Sequence, residues 1–164
     1  MLEPAQSHVA FTLDDILHTV HGTFKLKPGV IRFDPATGNA TGQLVVDATS
    51  GDSGSHARDH KMNKDVLESE KYPDIVFQIA RVTGTIAPNG SSTLQVSGNF
   101  VLHGASHPLT LTVPVQVNGT EASADINFDV PYVKWGLKNP STLFLRVSQK
   151  VQIAVHAVGK LEPR

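Results

Sequence analysis

The feature that most constrains this chain is an alternation of apolar and polar residues that recurs along most of its length. In one clear run, every second residue from Leu94 to Leu102 is apolar or glycine, and the same pattern follows at 109–117. Successive side chains of a β-strand point to opposite faces, so this period predicts strands with one apolar face and one polar face. Asn89-Gly90 and Asn118-Gly119 separate such runs and are typical of tight hairpin turns.

The runs add up to about eight or nine strands, which follow one another without the strand-helix-strand alternation of parallel sheets. This order favours a mainly all-β fold, an extended antiparallel up-and-down β-barrel of about eight strands that is lipocalin-like. A two-layer sandwich is the alternative. A last run at 143–158 is expected to close the barrel, and the whole chain, 1–164, is predicted to form a single domain. Such a barrel either fills with its own side chains or holds one small elongated ligand.

One segment, His56–Phe77, breaks the alternation, because it is densely charged and contains no glycine. Ser55 stands before it as a good N-cap residue. Apolar residues spaced four and five apart give the segment one apolar face, formed by Met62, Val66 and Leu67. The segment therefore predicts one inserted α-helix at about residues 56–70, docked on the barrel by that face.

The balance of charge excludes several partners. The chain has 14 basic and 15 acidic residues and a formal net charge of -1, so it has no overall field to hold nucleic acid.

No run approaches the ~20 apolar residues that span a bilayer, so no stable membrane insertion is expected. The first residues, MLEPAQSH, lack the apolar core of a secretory signal. They suggest a mature domain begun from an added start codon, with a complete cytoplasmic protein as the alternative.

Residue types that carry catalysis do not form a recognisable motif. Cysteine is absent, which removes thiolate chemistry, and the nucleophile elbow and phosphate-binding loop motifs have no match. Eight histidines are present, of which His56 and His60 share one helical face. The order HExxH is missing, so we predict no catalytic residue, no metal site and no cofactor. A metal-dependent enzyme that uses a histidine site is kept as the alternative.

Small residues recur on the apolar face of three strands, namely Ala40, Gly42, Gly98, Ala122 and Ala124. They have two explanations that the sequence leaves open. Small side chains leave room for a ligand inside the barrel. They also relieve crowding and allow the sheet to coil.

Four stretches together resemble the YceI-like, polyisoprenoid-binding proteins of bacteria, and the resemblance spans nearly the whole chain. The stretches are Gly22-Thr-Phe with Gly29-Val-Ile-Arg-Phe-Asp34, Arg58-Asp59 leading to Tyr72-Pro-Asp-Ile-Val-Phe77, Val101-Leu-His-Gly-Ala-Ser-His-Pro-Leu-Thr-Leu111, and Trp135-Gly-Leu137 with the final valine-rich strand. Met62 and Trp135 stand where the family commonly has leucine and phenylalanine.

The resemblance implies a lipocalin-like barrel that holds a long isoprenoid chain, no enzyme chemistry, a periplasmic location and, by analogy, a homodimer. Our hypothesis is therefore non-enzymatic carriage or sequestration of a polyisoprenoid lipid, either an isoprenoid quinone or a polyprenyl phosphate. A ligand-free stress-response module with a filled barrel is a further alternative. The predicted contacts with the tail are Phe11, Leu44, Val46, Phe77, Ile79, Phe100, Leu111, Val113, Ile126 and Phe128. Those with the polar head are Arg58, His60 and His103.

Overall fold

The computed structural model describes residues 2, 6–14, 19–34, 37–87, 89–137, 148 and 150–161. The strands are β1 (His8–Asp14), β2 (Thr19–Leu26), β3 (Ile31–Phe33), β4 (Ala40–Asp52), β5 (Asp74–Thr83), β6 (Gly90–Leu102), β7 (Ala105–Asn118), β8 (Glu121–Val130) and β9 (Val151–Lys160). Helix α1 (His56–Lys61) continues directly into a π-helical turn, Met62–Val66, and both lie between β4 and β5.

Eight of these strands close into an antiparallel barrel. The sheet order is β2-β1-β9-β8-β7-β6-β5-β4, and β2 pairs directly with β4, so the sheet returns to its first strand. The short β3 pairs with the beginning of β4 and is not one of the eight strands of the barrel wall. The predicted up-and-down barrel of about eight strands is confirmed, and the sandwich alternative is not observed.

A seam between β1 and β9 joins two strands that are far apart along the chain. Val9 lies opposite Val155, and Phe11 lies opposite Ile153. Next to the seam, the backbone N–H of Val158 donates to Ser7 Oγ over 2.9 Å. Of the closing strand predicted at 143–158, residues 143–147 and 149 lie outside the described residues, and β9 begins at Val151.

The two ends of the barrel differ. At the end closed by the β5–β6 and β7–β8 connections, which we call the hairpin end, the interior is packed with side chains. This filled core consists of Ala40, Phe77, Val82, Leu94, Val96, Leu111, Val113 and Ile126. The opposite end, which we call the helix end, carries α1, the π-helical turn, the β6–β7 turn and the loop 131–137.

A β-bulge in β5 explains one of the small residues in the barrel wall. Ile79 pairs with Gly98 and Arg81 pairs with Ser97, so β5 carries one residue more than β6 at this point. A Cβ atom on Gly98 would lie 2.0 Å from the carbonyl oxygen of Gln78. At Gly98 the small residue therefore relieves crowding between two backbones and does not open space for a ligand.

The helix is shorter than the predicted 56–70 and ends at Val66. Its start is as expected, since Ser55 Oγ accepts from the backbone N–H of Arg58 over 3.3 Å. At its end Glu68 takes a left-handed backbone with φ of 49°. The N–H of Ser69 then donates to the carbonyl of Asn63 over 2.9 Å, which closes the last turn before Pro73 is reached.

Candidate ligand cavity

An apolar cavity of about 290 Å³ occupies the helix end of the barrel. This volume lies near the lower limit of small-molecule sites, which span ~300–1,000 Å³. Polar side chains are a small minority of the lining. The cavity is lined by Phe11, Leu13, Val20, Phe24, Ser53, Arg58, Lys61, Met62, Val66, Leu67, Ile75, Phe100, Leu102, Val130, Tyr132, Leu137, Val151 and Ile153.

Phe100 lies between the cavity and the filled core, and its ring belongs to an aromatic cluster. Phe100 lines the cavity and also packs against the filled core below it. Its ring meets Phe128 edge-on with centroids 6.0 Å apart, and Trp135 lies 5.6 Å from it. Trp135 is in turn stacked on His107 with centroids 4.1 Å apart. Beneath Phe100 the interior is occupied by side chains, so the cavity stops there.

The π-helical turn covers the cavity. The N–H of Leu67 donates to the carbonyl of Met62, a spacing of five residues in place of the usual four. This wider turn brings residues that are four and five apart onto the same side. Met62, Val66 and Leu67 all line the cavity as a result, so the apolar face predicted from the sequence does face the barrel.

Hydrogen bonds and an ion pair hold α1 and the π-helical turn, which together we call the cover, at both ends. At its start Asp59 Oδ1 accepts from the N–H and the hydroxyl of Ser53, over 2.9 and 2.6 Å. At its end the Glu68 carboxylate pairs with His103 Nε2, and the His103 ring lies 4.7 Å from that of Tyr72. We call Glu68, Tyr72 and His103 the helix clasp. It ties the end of the cover to the β6–β7 turn.

Positive charge collects at the mouth. Arg58 and Lys61 both line the cavity and are both exposed, three residues apart on α1 and therefore on one face of the helix. Arg58 Nη1 donates to the carbonyl of Ser53 over 3.3 Å. Within the described part of the chain, neither cation forms an ion pair, and the cavity lining contains no carboxylate.

Tyr132 contributes the one phenol of the lining. Its hydroxyl donates to the carbonyl of Ser148 over 2.6 Å. Burial raises the pKa of Tyr132 to about 12, so this group stays protonated and uncharged at neutral pH. The Tyr132 side chain is therefore a structural part of the cavity wall, held by its hydrogen bond to Ser148.

Replacing this phenol, Tyr132→Phe, is expected to lower the free energy of unfolding by about 1 kcal/mol, because the carbonyl of Ser148 loses its donor. The cost should shrink at alkaline pH. Above about pH 10 the tyrosine ionises in the unfolded chain but not yet in the folded one. Ionisation stabilises the unfolded chain, so the free energy of unfolding of the wild type falls as pH rises towards the folded pKa, and that of the variant does not. Urea unfolding of both proteins at about pH 8 and about pH 11 measures this. A gap that widens with pH contradicts it.

The predicted contacts divide between the cavity and the packed interior. Of the thirteen predicted residues, Phe11, Phe100 and Arg58 line the cavity. Val46 packs in the cluster around Phe24. The remaining apolar candidates lie in or against the filled core, namely Leu44, Phe77, Ile79, Leu111, Val113, Ile126 and Phe128. His60 is exposed and does not line the cavity, and His103 belongs to the helix clasp.

Several lining residues were not among the sequence candidates. Leu13 and Leu102 lie on the same strand faces as Phe11 and Phe100, respectively. Each is two residues nearer the helix end of the barrel. The missing signal was position along the strand. In an up-and-down barrel every strand end on the side of the inserted helix lies near it, so ranking the apolar residues by closeness to that end would have found Ile75, Val130 and Val151 as well.

The histidine pair considered for a metal lies on the outer surface of α1, where His56 and His60 are both exposed. In the described ranges, no three His, Cys, Asp or Glu side chains come together in a way that would hold a metal ion. Likewise, no helix in the described part of the chain is long and apolar enough to cross a membrane.

Relatives in sequence come from several bacteria. A UPF0312 protein of Pseudomonas savastanoi pv. phaseolicola is 33% identical over 104 residues, which is 62% of this chain and 52% of the relative. A UPF0312 protein of Vibrio parahaemolyticus is 31% identical over 94 residues, 56% of this chain and 48% of the relative. The matches thus span about half the length of these relatives.

Solved structures share the fold. BcnA of Burkholderia cenocepacia superposes with a TM-score of 0.80 at 22% identity, over 97% of this chain and 99% of that one. A polyisoprenoid binding domain from Saccharophagus degradans gives 0.74 at 16% identity, over 98% and 97%. At these identities the likeness shows the fold alone. The YceI-like domain model matches residues 1–159, nearly the full chain. The chain therefore belongs to the YceI-like family.

Proposed function

We propose that this domain binds a polyisoprenoid lipid and carries or sequesters it without changing it chemically. The observation that carries the proposal is a cavity lined by apolar side chains whose charged groups are confined to its mouth. A structure of the same fold is described as a polyisoprenoid binding domain, which supports this class of ligand. The isoprenoid tail lies inside the barrel, and the polar head, a quinone or a phosphate, lies beside Arg58 and Lys61.

Burial of the tail is enough to hold such a ligand. Each buried CH₂ group contributes ~0.8 kcal/mol, so affinity grows with the length of chain inside the cavity and needs no directional polar contact there. Family resemblance further supports a periplasmic location and a homodimer. Both belong to this proposal.

The alternative functions have less support. A metal-dependent enzyme would use His56 and His60, which lie on the outer face of α1, away from the cavity. A ligand-free module would have a filled barrel, whereas here only the hairpin end is filled.

The direct test is to purify the protein from its native host, extract it with organic solvent and identify the extract by mass spectrometry. We expect a stoichiometric isoprenoid lipid. Ile153→Trp, which places an indole in the cavity, should reduce the extracted lipid at least severalfold. Gln152→Trp is the matched control, because the adjacent side chain is exposed on the outer face and does not line the cavity. Recovery of phospholipid alone, or of nothing, contradicts the proposed function, as does equal recovery from both variants.

A further inference from the structure

We propose that His8 and His156 together bind one divalent transition-metal ion, of the Cu²⁺ or Zn²⁺ class, on the outer wall of the barrel. His8 belongs to β1 and His156 to β9, and neither side chain lines the cavity. The site is therefore independent of the proposed function. It also differs from the histidine pair of α1, because its two members come from the first and the last strand of the barrel.

The pairing of β1 with β9 brings the two imidazole rings together. His8 and His156 lie directly opposite each other in the antiparallel register. The side chains of such a pair leave the sheet on the same face, with Cβ atoms about 5 Å apart. That face is the outer one, because Val9 and Phe11, which point the other way, are buried in the interior. The centroids of the two rings are 5.3 Å apart.

This separation of the rings fits one shared metal ion. A zinc–nitrogen bond of ~2.0 Å, with about 1.1 Å more to the ring centre, places the ion about 3.1 Å from each centroid. At a tetrahedral angle, the two centroids would then lie about 5.1 Å apart. The observed separation of 5.3 Å is close to this value. Both rings therefore reach one ion without any change in the pairing of the strands.

A carboxylate orients one of the two rings. Asp125 on β8 lies opposite His156, and its Oδ1 accepts a hydrogen bond from His156 Nδ1 over 2.7 Å. An ionised carboxylate only accepts, so Nδ1 carries the proton and Nε2 of the neutral ring keeps its lone pair. The two ring nitrogens point to nearly opposite sides. Nε2 therefore faces away from β8, towards β1 and His8. Carboxylates commonly orient metal-binding histidines in this way.

The surface beside the pair leaves the other coordination positions to water. The next outward residues on the same two strands are Ala10 and Ala154, and both line a shallow groove in the outer wall. Two imidazoles and two water molecules complete a four-coordinate site. No third His, Cys, Asp or Glu of the described ranges is placed to bind the ion. Imidazole ligands favour Cu²⁺ over Zn²⁺ and both over Mg²⁺, which prefers oxygen.

Calorimetric titration of the untagged full chain with Cu²⁺, Zn²⁺ and Mg²⁺ tests the site. We expect Cu²⁺ to bind more tightly than Zn²⁺, and Mg²⁺ not to bind. His8→Ala and His156→Ala should each weaken binding at this site by at least about tenfold, because a single imidazole cannot chelate. Binding that is unchanged in both variants overturns the proposal, as does a preference for Mg²⁺.

The histidine pair of α1 must be separated from this site, since His56 and His60 also share one face of a helix. In the variant His56→Ala, His60→Ala, one equivalent of Cu²⁺ should still bind. Adding His8→Ala to that variant should abolish this binding. If the first variant no longer binds the ion, the ion belongs to α1 and the proposal is overturned.

Asp125→Asn tests the orienting carboxylate and should weaken Zn²⁺ binding about tenfold. Asp129→Asn is the matched control, because Asp129 is exposed on the same face of β8 and pairs with Lys150 over 3.6 Å. It removes the same charge but no histidine partner, so its effect should stay below about threefold. Equal losses in the two variants would show attraction by charge alone and overturn the role of Asp125.

Thermal unfolding gives a second measurement, because an ion held by β1 and β9 binds only the folded chain. Zn²⁺ at about 100 times its dissociation constant should raise the melting temperature of the wild type by about 5–10 °C. His8 is exposed, so His8→Ala should fold normally and melt at the same temperature with or without Zn²⁺. An equal rise in the variant overturns the assignment of the site to this pair.

Discussion

Phe77→Ala is expected to lower the free energy of unfolding by about 3–5 kcal/mol. Phe77 is 7% exposed and belongs to the filled core at the hairpin end, so its removal leaves a void that close-packed neighbours can only partly fill. The same substitution in the cavity wall, Phe24→Ala, should cost about 1–2 kcal/mol less. One side of the Phe24 ring already faces the cavity and has fewer contacts to lose.

Urea unfolding monitored by circular dichroism measures both variants against the wild type. The comparison is controlled because both rings are aromatic, both belong to the barrel interior and both are replaced by alanine. Equal losses of stability would contradict the division of the barrel into a filled end and an open end.

Gly98→Ala is expected to lower the free energy of unfolding by about 3 kcal/mol, at the upper end of the cost of overpacking. The new Cβ would lie 2.0 Å from the carbonyl oxygen of Gln78, so the two backbones at the β5 bulge must separate. The melting temperature should fall by roughly 6–12 °C.

The neighbouring Asn99→Ala serves as the control for Gly98→Ala. Asn99 is exposed, and its change should stay within about 0.5 kcal/mol. Calorimetric melting of the three proteins decides the matter. A Gly98→Ala protein as stable as the wild type would mean that β5 and β6 separate at no cost, in conflict with the close approach at the bulge.

The barrel was predictable because its signal is local and repeated. Alternation such as that from Leu94 to Leu102 determines which side chains share a face, and Asn118-Gly119 marks where a strand reverses. Each strand then pairs with its neighbour along the chain, so the sequence order nearly gives the sheet order. The resemblance to the YceI-like proteins pointed to the same barrel, and the family match confirms the relationship.

The extent of the cavity was not predictable in the same way. Leu111 and Leu102 both belong to the barrel interior, yet only Leu102 lines the cavity. The difference lies in height along the barrel, which depends on where the helix docks and on how far bulky rings such as Phe100 fill the interior. A pattern with a period of two residues distinguishes inside from outside and carries no information on height.

The end of the helix depends on backbone conformations that the sequence pattern does not predict. Glu68 and His103 both take positive φ angles, 49° and 53°, although neither is glycine or asparagine. Their ion pair forms between these two turns. Proline cannot continue a helix, so Pro73 sets the latest point at which the helix can end. The chain leaves the helix earlier, because the wider π-helical turn and Ser69 close it first.

The seam between β1 and β9 has a consequence for the order of folding. Hairpins such as β6–β7 join residues close in sequence, whereas His8 pairs with His156 from the other end of the chain. Such distant contacts carry the largest loop-closure entropy, which makes the seam a late step. Phe11 and Ile153, on the two sides of the seam, both form the cavity wall. A ligand thus finds its complete site only in a chain that has finished folding, and binding draws the equilibrium towards that state by mass action.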